Sequence, residues 1–586
     1  MKNPILLSLL IGFLGLSTAL ADEFKHLFTA KLLLDRFEQL DLTAAQLSQF
    51  NEVSRKLTAK VAAIRESSGI SKEDIKKRDE AYGPAKDKLQ GDELWKHVQD
   101  KTGFNDAQIA GFRETHLLAR AFREDALAIL TPEQKKQFPK TRKRNENAQT
   151  KSEAGSPNIV LFFVDDLGWT DLGHRNPKFE TPNIDALAAV SVDFQQAYVA
   201  GPACSPSRST LVTGKHPARL KLVRHIPAGS RTPGFDDYGR TENEFHHWPG
   251  DPAEFPSRNW LPLEHTTYAE ALKEHGYYNL FVGKWHLGQE EYHPVHQGFD
   301  RQIGTTNSGH PKSYYPPYFK FSEVMADEKE RYLTDKLTDE TVKFIEGHDT
   351  KNPFMISLWY YNVHSPHVGR KDLVAHFESK GLEGKEAHFA AMVKSVDESV
   401  GRVREALQVK GIADNTVLLF TSDQGSLFEN PPYRGSKRVD TLGEGGARVP
   451  FFVHWPGVSK AGKNDSIVQT TDIFPTLVEI AGGNPAKHKD LDGVSLVDII
   501  RYNSVLKRGK PIFGYRAYQD LYASVRQGNW KLFAYRSGQT ALFNVVKDRF
   551  ETKDLAAERT EKVKGMVEAL RAWEVEMGID EYSGFQ

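Results

Sequence analysis

One cysteine in 586 residues is the clearest scarcity in this chain. A single thiol cannot close an intrachain disulfide, so Cys204 is either a buried bystander or a chemical reagent. An excess of charge of either sign is also missing. Lys and Arg total 77 against 78 Asp and Glu, which removes any global electrostatic argument for nucleic acid or a membrane surface as partner. Past the N-terminus no run reaches the roughly 18 apolar residues that a spanning helix requires. Function therefore has to be sought in local sites.

What is present begins with "MKNPILLSLLIGFLGLSTALADEF". Lys2, the apolar run and Ala19-Leu20-Ala21 form the three parts of a signal peptide over residues 1–21. The expectation is an exported chain, periplasmic or secreted, starting near Asp22 and without a transmembrane segment after cleavage. In an oxidising compartment a lone cysteine is the more telling.

Residues 22–138 read as an all-α module. Leu47, Phe50, Val53, Leu57, Val61 and Ile64 recur at helical spacing, and Ile109, Phe112, Ala119 and Phe122 continue the habit. "LTAAQLSQF" and "LTPEQKKQF" match each other, each with a Thr able to cap a helix whose third residue is Gln. The pair resembles the LTxxQ motif of small periplasmic helical stress proteins. The polar stretch 139–156 reads as a linker.

From residue 157 short apolar runs alternate with helical patterns: "NIVLFFV", "NLFVG", "PFMISLWYY", "TVLLFTS" and "VPFFVHW". Continuous apolar strands between helices predict an α/β domain over 157–504, with a large, mostly parallel central sheet flanked by helices. Ligands in such sheets bind at the carboxyl ends of the strands. Four of the runs lead into Asp165-Asp166, Lys284 and His286, His364, and Asp423-Gln424, so one sheet edge collects the polar residues. Residues 505–586 predict a small antiparallel sheet followed by a helix.

Around Cys204 the sequence is "CSPSRSTLVTG". Ser205 is a candidate N-cap, Pro206 suits the first turn and Gly214 can end the helix. Cys204 beside Arg208 at a helix N-terminus would stabilise an anion there.

This stretch resembles the C-x-P-S-R-x-x-x-x-T-G signature of the type I sulfatases, in the alkaline phosphatase superfamily. "FVDDLGW", "GKWHLG", "HSPH", "SDQG", "RGSK" and "EGGARVP" extend the likeness over residues 156–556. The resemblance implies an alkaline-phosphatase-like fold and a Cys204 converted to formylglycine by a formylglycine-generating or equivalent maturation enzyme. It implies hydrolysis of sulfate esters by gem-diol attack on sulfur, through a covalent enzyme-sulfate intermediate. Asp165, Asp166, Asp423 and Gln424, with modified Cys204, would hold one divalent cation, Ca²⁺ before Mg²⁺. Arg208 and His286 would hold the formylglycine, Lys284 and Lys437 the sulfate oxygens, and His364 would protonate the leaving alcohol. Between Lys437 and Glu444 the chain is longer than the family's K-x-x-x-Y-E-G-G spacing and lacks the tyrosine. His367 and Lys215 are candidate substrate contacts.

Residues 220–260 and 304–321 are rich in aromatics, Arg, His, Pro and Gly, the composition of specificity loops on a rigid scaffold. They suit a sulfated glycan, and degradation of sulfated polysaccharide is the expected role. A phosphonate or phosphate ester hydrolase of the same superfamily is the alternative. A non-catalytic glycan-binding protein is another, if Cys204 stays unmodified.

Overall fold

The structure is a computed structural model that describes residues 60–85, 91–112 and 156–585, apart from 228, 230, 231, 249, 321, 323, 327 and 350, together with residues 43, 46, 49, 115 and 129–131. The expected signal peptide, most of both LTxxQ copies and all but the last residue of the expected linker lie outside the described residues. The chain divides into two units, Met1–Arg144 and Asn145–Gln586. Among the described residues no helix is long and apolar enough to cross a membrane.

In the first unit, helix starts are set by reciprocal caps. The Thr43 N–H donates to Gln46 Oε1 (3.0 Å) and the Gln46 N–H to Thr43 Oγ1 (3.2 Å), as the capping-box reading expects. Ser71 and Asp74 repeat the exchange ahead of the helix Lys72–Ala85, and Asn105 and Gln108 repeat it again. Gln46 Nε2 also donates to Ile129 O (3.0 Å), just ahead of the second LTxxQ copy. Ile70, Trp95, Val98, Phe104, Ile109 and Phe112 form a small apolar core.

The second unit is organised by strands β1 (Asn158–Val164), β2 (Val192–Tyr198), β3 (Phe245–His246), β4 (Ser257–Arg258), β5 (Tyr278–Gly283), β6 (Arg301–Ile303), β7 (Phe354–Trp359), β8 (Thr416–Ser422), β9 (Phe451–His454), β10 (Gly462–Gln469), β11 (Ile512–Tyr515), β12 (Leu521–Gln527), β13 (Trp530–Tyr535) and β14 (Thr540–Asn544). Eight of them make one sheet in the order β10-β2-β9-β8-β1-β7-β5-β6. Only β9 runs antiparallel to its neighbours. All seven residues of β1 are buried. Val160, Phe162 and Val164 enter one core with Leu358 and Phe420, while Ile159, Leu161 and Phe163 enter the other with Trp359 and Leu419. A strand buried on both faces is apolar on both, which is why β1 lacks alternation after Asn158, whose side chain accepts the Phe354 N–H. Each such side chain contributes about 1.5–3 kcal/mol.

Helices Leu333–Gly347 and Gly384–Val409 cover the first face, and Tyr268–Lys273 and Ile473–Ile480 the second. β11 to β14 form an antiparallel meander, and the helix Thr560–Met577 packs Met566, Leu570 and Trp573 against it. In the main sheet β8, β1, β7 and β5 are consecutive and parallel, so their carboxyl ends share one edge.

Candidate active site

Register decides which strand ends meet. Val164 pairs with Ser422 and Gly283 with Trp359, so the residues that follow emerge side by side. The Asp166 N–H donates to Asp423 Oδ1 (3.0 Å) and the Leu167 N–H to Ser422 Oγ (3.1 Å). Asp166 has φ 63°, a left-handed conformation that Asp tolerates better than most residues. From β5, Lys284 extends Nζ to within 2.5 Å of Asp165 Oδ2. His286 is also left-handed, at φ 55°. Its Nε2 donates to Ile226 O (2.9 Å), and Gly309 lies so close that a Cβ there would stand 2.4 Å from the ring. Beyond β7, His364 points Nε2 to 3.9 Å from Asp166 Oδ2 and holds Nδ1 2.7 Å from Ser365 O. Its ring stacks on His310, with centroids 5.5 Å apart.

The helix Cys204–Thr213 aims its N-terminus at this edge. Ala203, not Ser205, is its N-cap. Ser205 is drawn away because its hydroxyl accepts the Ile226 N–H (3.0 Å). Gly214 ends the helix at φ 66°. Within the helix, Ser207 Oγ lies 2.5 Å from Asp423 O. Arg208 Nη2 donates to Asp423 Oδ2 (2.9 Å) and lies 3.3 Å from Asp165 Oδ1, while Nη1 donates to Lys284 O (2.8 Å). Its guanidinium lies 5.1 Å from the Phe163 ring centroid and 5.3 Å from that of Trp359. Cys204 Sγ sits 3.7 Å from Asp165 Oδ1 and 3.4 Å from Gln424 Nε2.

Lys437 completes the cluster. The extra residues after it form a turn in which the Ser436 N–H reaches Val439 O (2.8 Å). Lys437 still places Nζ 2.5 Å from Asp166 Oδ2. Gly425, after Gln424, permits a close crossing of chains, because a Cβ there would stand 1.9 Å from Gly445 O.

Asp165, Asp166 and Asp423 each offer a carboxylate oxygen, all within 4.8 Å of one another and buried. Burial and the Asp165 charge push Asp423 up to about 6. Burial alone would raise the Cys204 thiol, but Lys284 and Lys437 outweigh it and hold the thiol well below its ordinary value. Burial and Lys437 oppose a charge on His364, yet Asp166 and Asp165 prevail and raise it. His286 is lowered by burial and by Lys284 and stays neutral. An all-oxygen donor set of this kind fits a hard divalent cation. Gln424 now turns Nε2 to Asp166 Oδ1 (2.7 Å), and half a turn of its amide presents the oxygen instead.

Ten predicted residues thus converge: Asp165, Asp166, Cys204, Arg208, Lys284, His286, His364, Asp423, Gln424 and Lys437. His367 stands at the margin, where burial lowers it to about 4 and the Asp166 charge still reaches it. Lys215 is not brought in. It follows the far end of the Cys204–Thr213 helix and lies 3.9 Å from Asp490. Sequence reasoning did not single out Ser207, Ser422 or His310. Ser207 lies inside the quoted signature and His310 inside the quoted 304–321 loop, so position in a motif was the available signal.

Residues 157–483, more than half of the chain, match the Sulfatase family, and residues 437–574 match the N-sulphoglucosamine sulphohydrolase C-terminal family. N-acetylgalactosamine-6-sulfatase of Mus musculus is 32% identical over 385 residues, covering 61% of this chain and 69% of that protein. Steryl-sulfatase of Homo sapiens is 28% identical over 455 residues, 62% of this chain and 72% of its own. The crystal structure of Ps i-CgsB in complex with k-i-k-neocarrahexaose superposes with a TM-score of 0.62 at 28% identity, covering 73% of this chain and 95% of that one.

Proposed function

The chain belongs to the sulfatase family and is a sulfuric ester hydrolase, and from that premise we propose that its substrate is a sulfated carbohydrate. One observation carries the reading. Cys204, at a buried helix N-terminus, meets three carboxylates and three cationic side chains at the ends of four adjacent strands. The names of the mouse relative and of the carrageenan-oligosaccharide complex support a sugar. So do the two aromatic-rich loops, since Ile226 of one bonds to His286 and His310 of the other stacks on His364. Export rests on the N-terminal signal pattern.

In this proposal Asp165, Asp166, Asp423 and Gln424 hold the cation, Ca²⁺ before Mg²⁺, whose charge lowers the pKa of a hydroxyl beside it. Cys204, converted to formylglycine by a maturation enzyme, supplies the oxygen nucleophile as a hydrated aldehyde. Arg208, fixed by Asp423, Asp165 and the Lys284 carbonyl, holds the reacting side chain against the strand ends together with neutral His286. Lys284 and Lys437 neutralise the sulfate oxygens as charge develops. With Nδ1 held at Ser365 O, His364 keeps Nε2 toward the site and gives its proton to the leaving alcohol.

Mass spectrometry of the Cys204 peptide from the native host should read formylglycine. The matured enzyme should turn over sulfate esters faster than the corresponding phosphate mono- and diesters. Faster phosphodiester turnover, or an unmodified thiol, would overturn the proposal.

A further inference from the structure

Arg224 and Arg516 are buried without acids. Arg224 is fully buried and Arg516 is 6% exposed. Among the described residues neither forms an ion pair with a carboxylate, and Arg224 Nε and Nη1 and Arg516 Nε have no hydrogen-bond partner. Asp251, whose charge reaches Arg224, is engaged elsewhere. Its oxygens accept the N–H groups of Ala253 and Phe255 (each 3.1 Å) and lie near Arg536. Both guanidiniums crowd one ring: Arg516 lies 4.2 Å and Arg224 5.3 Å from the centroid of Tyr518, and Arg224 lies 4.5 Å from that of Trp248. Like charges gathered in a buried place without an anion are unfavourable unless an anion arrives. Burial accordingly pushes Arg224 down to about 10 and Arg516 down to about 9.

The pair adjoins the reacting centre. Arg516 Nη1 donates to Pro202 O (2.9 Å), two residues ahead of Cys204. Arg224 and His225 lead into Ile226, whose N–H bonds to Ser205 and whose carbonyl bonds to His286. Outward, Trp248 is 41% exposed and Tyr518 is half-buried. A planar guanidinium with free N–H groups matches the oxygens of a carboxylate or sulfate, which an ammonium does less selectively.

We propose that Arg224 and Arg516 form an oxyanion subsite beside the Cys204 centre that binds a second anionic group of the sugar chain, a carboxylate or a second sulfate ester, with Trp248 and Tyr518 facing the sugar. This rests on the carbohydrate sulfatase reading and narrows it to polyanionic glycans. A singly charged sugar leaves the two guanidiniums unpaired and binds more weakly.

Calorimetric titration of the full-length Cys204→Ala protein tests the idea with three probes. They are N-acetylgalactosamine 6-sulfate, N-acetylgalactosamine 4,6-disulfate, and the disaccharide in which N-acetylgalactosamine 6-sulfate carries a uronic acid. At least tenfold tighter binding of the disulfate or of the uronic-acid sugar is expected, and the tighter one identifies the group. Adding Arg224→Gln or Arg516→Gln should erase that difference while leaving the monosulfate within about twofold, and Arg224→Lys should restore part of it. Equal binding of all three probes would overturn the subsite, as would glutamine variants that lose every probe alike with unchanged melting. If a glutamine variant does not fold, the comparison of probes on the unsubstituted pair decides. Sulfate release by the matured enzyme separates the two ideas. No release from any sulfate ester defeats the underlying reading, whereas release without a binding preference defeats the subsite alone.

Discussion

Of the buried gatherings of charge among the described residues of the larger unit, one lies at the carboxyl edge of the main sheet and a second where β2 meets the C-terminal meander. In the second, Glu444 accepts from Lys531 (3.0 Å), Arg448 (3.1 Å) and Tyr198 (2.8 Å). Glu551 accepts the Glu444 N–H (2.9 Å) and lies 3.4 Å from Lys531. Although burial opposes it, Lys531, Arg448 and Arg526 bring Glu444 down to about 2. Asp423, equally buried but pressed against Asp165, moves the other way, to about 6. The same kinds of residue therefore serve opposite ends. Around Glu444 each charge is met by its opposite and a joint is locked. At the sheet edge three acids crowd one another although Arg208, Lys284 and Lys437 pair with them, and the pressure of acid on acid that raises Asp423 is what a structural joint avoids.

The comparison breaks if the two clusters respond alike. Cys204→Ala should lower sulfate release on the order of 10⁴-fold or more, measured by ion chromatography, with a melting temperature close to that of the parent. Glu444→Gln should do the reverse. Removing one partner of a buried charge network costs about 3–5 kcal/mol, to be read from urea unfolding, while turnover per folded molecule is kept. Parallel losses of activity and stability in both variants would erase the distinction.

The smallest effect is in pH. Glu444 has a folded-state pKa depressed below the ordinary 4.5 to about 2. Its stabilising share is thus full above pH 4.5 and is lost as pH falls toward 2. Glu551 is shifted upward by burial, with Lys531 opposing and the Glu444 charge adding to the rise, so its protonation comes earlier and costs no stability. The stability gap between the parent and Glu444→Gln should therefore narrow between pH 5 and pH 2. A gap independent of pH would refute the assignment.

Much of this was readable from the residues. β1, β5, β7 and β8 announced themselves because strands buried on both faces are mostly apolar without alternation, and the charged residues that follow them stood out by contrast. β2, "VDFQQAY", escaped notice because polar residues interrupt it, among them Asp193, which is buried against Arg175, and β10, "GKNDSIVQ", because its partly exposed first half carries polar side chains that look like loop. The antiparallel course of β9 was equally hidden, since direction leaves no mark on composition. Ser205 reads as a cap by chemistry, but a hydroxyl bonds to whichever donor the fold brings nearer, here Ile226. Lys215 directly follows the signature, and that puts it past the wrong end of the helix.

The sequence by itself determined which segments form β1, β5, β7 and β8, where their polar ends lie, and which cysteine, acids and bases are the candidates for the chemistry. Those are properties of neighbours along the chain, set by hydrophobic pattern and by residue type. Tertiary structure alone decided that Asp423 lies against Asp165, that Lys437 reaches Asp166 ahead of a longer loop, and that Arg224 and Arg516 share Tyr518. Such meetings follow from strand register and from packing between remote segments, and their energy exists only once both segments are in place.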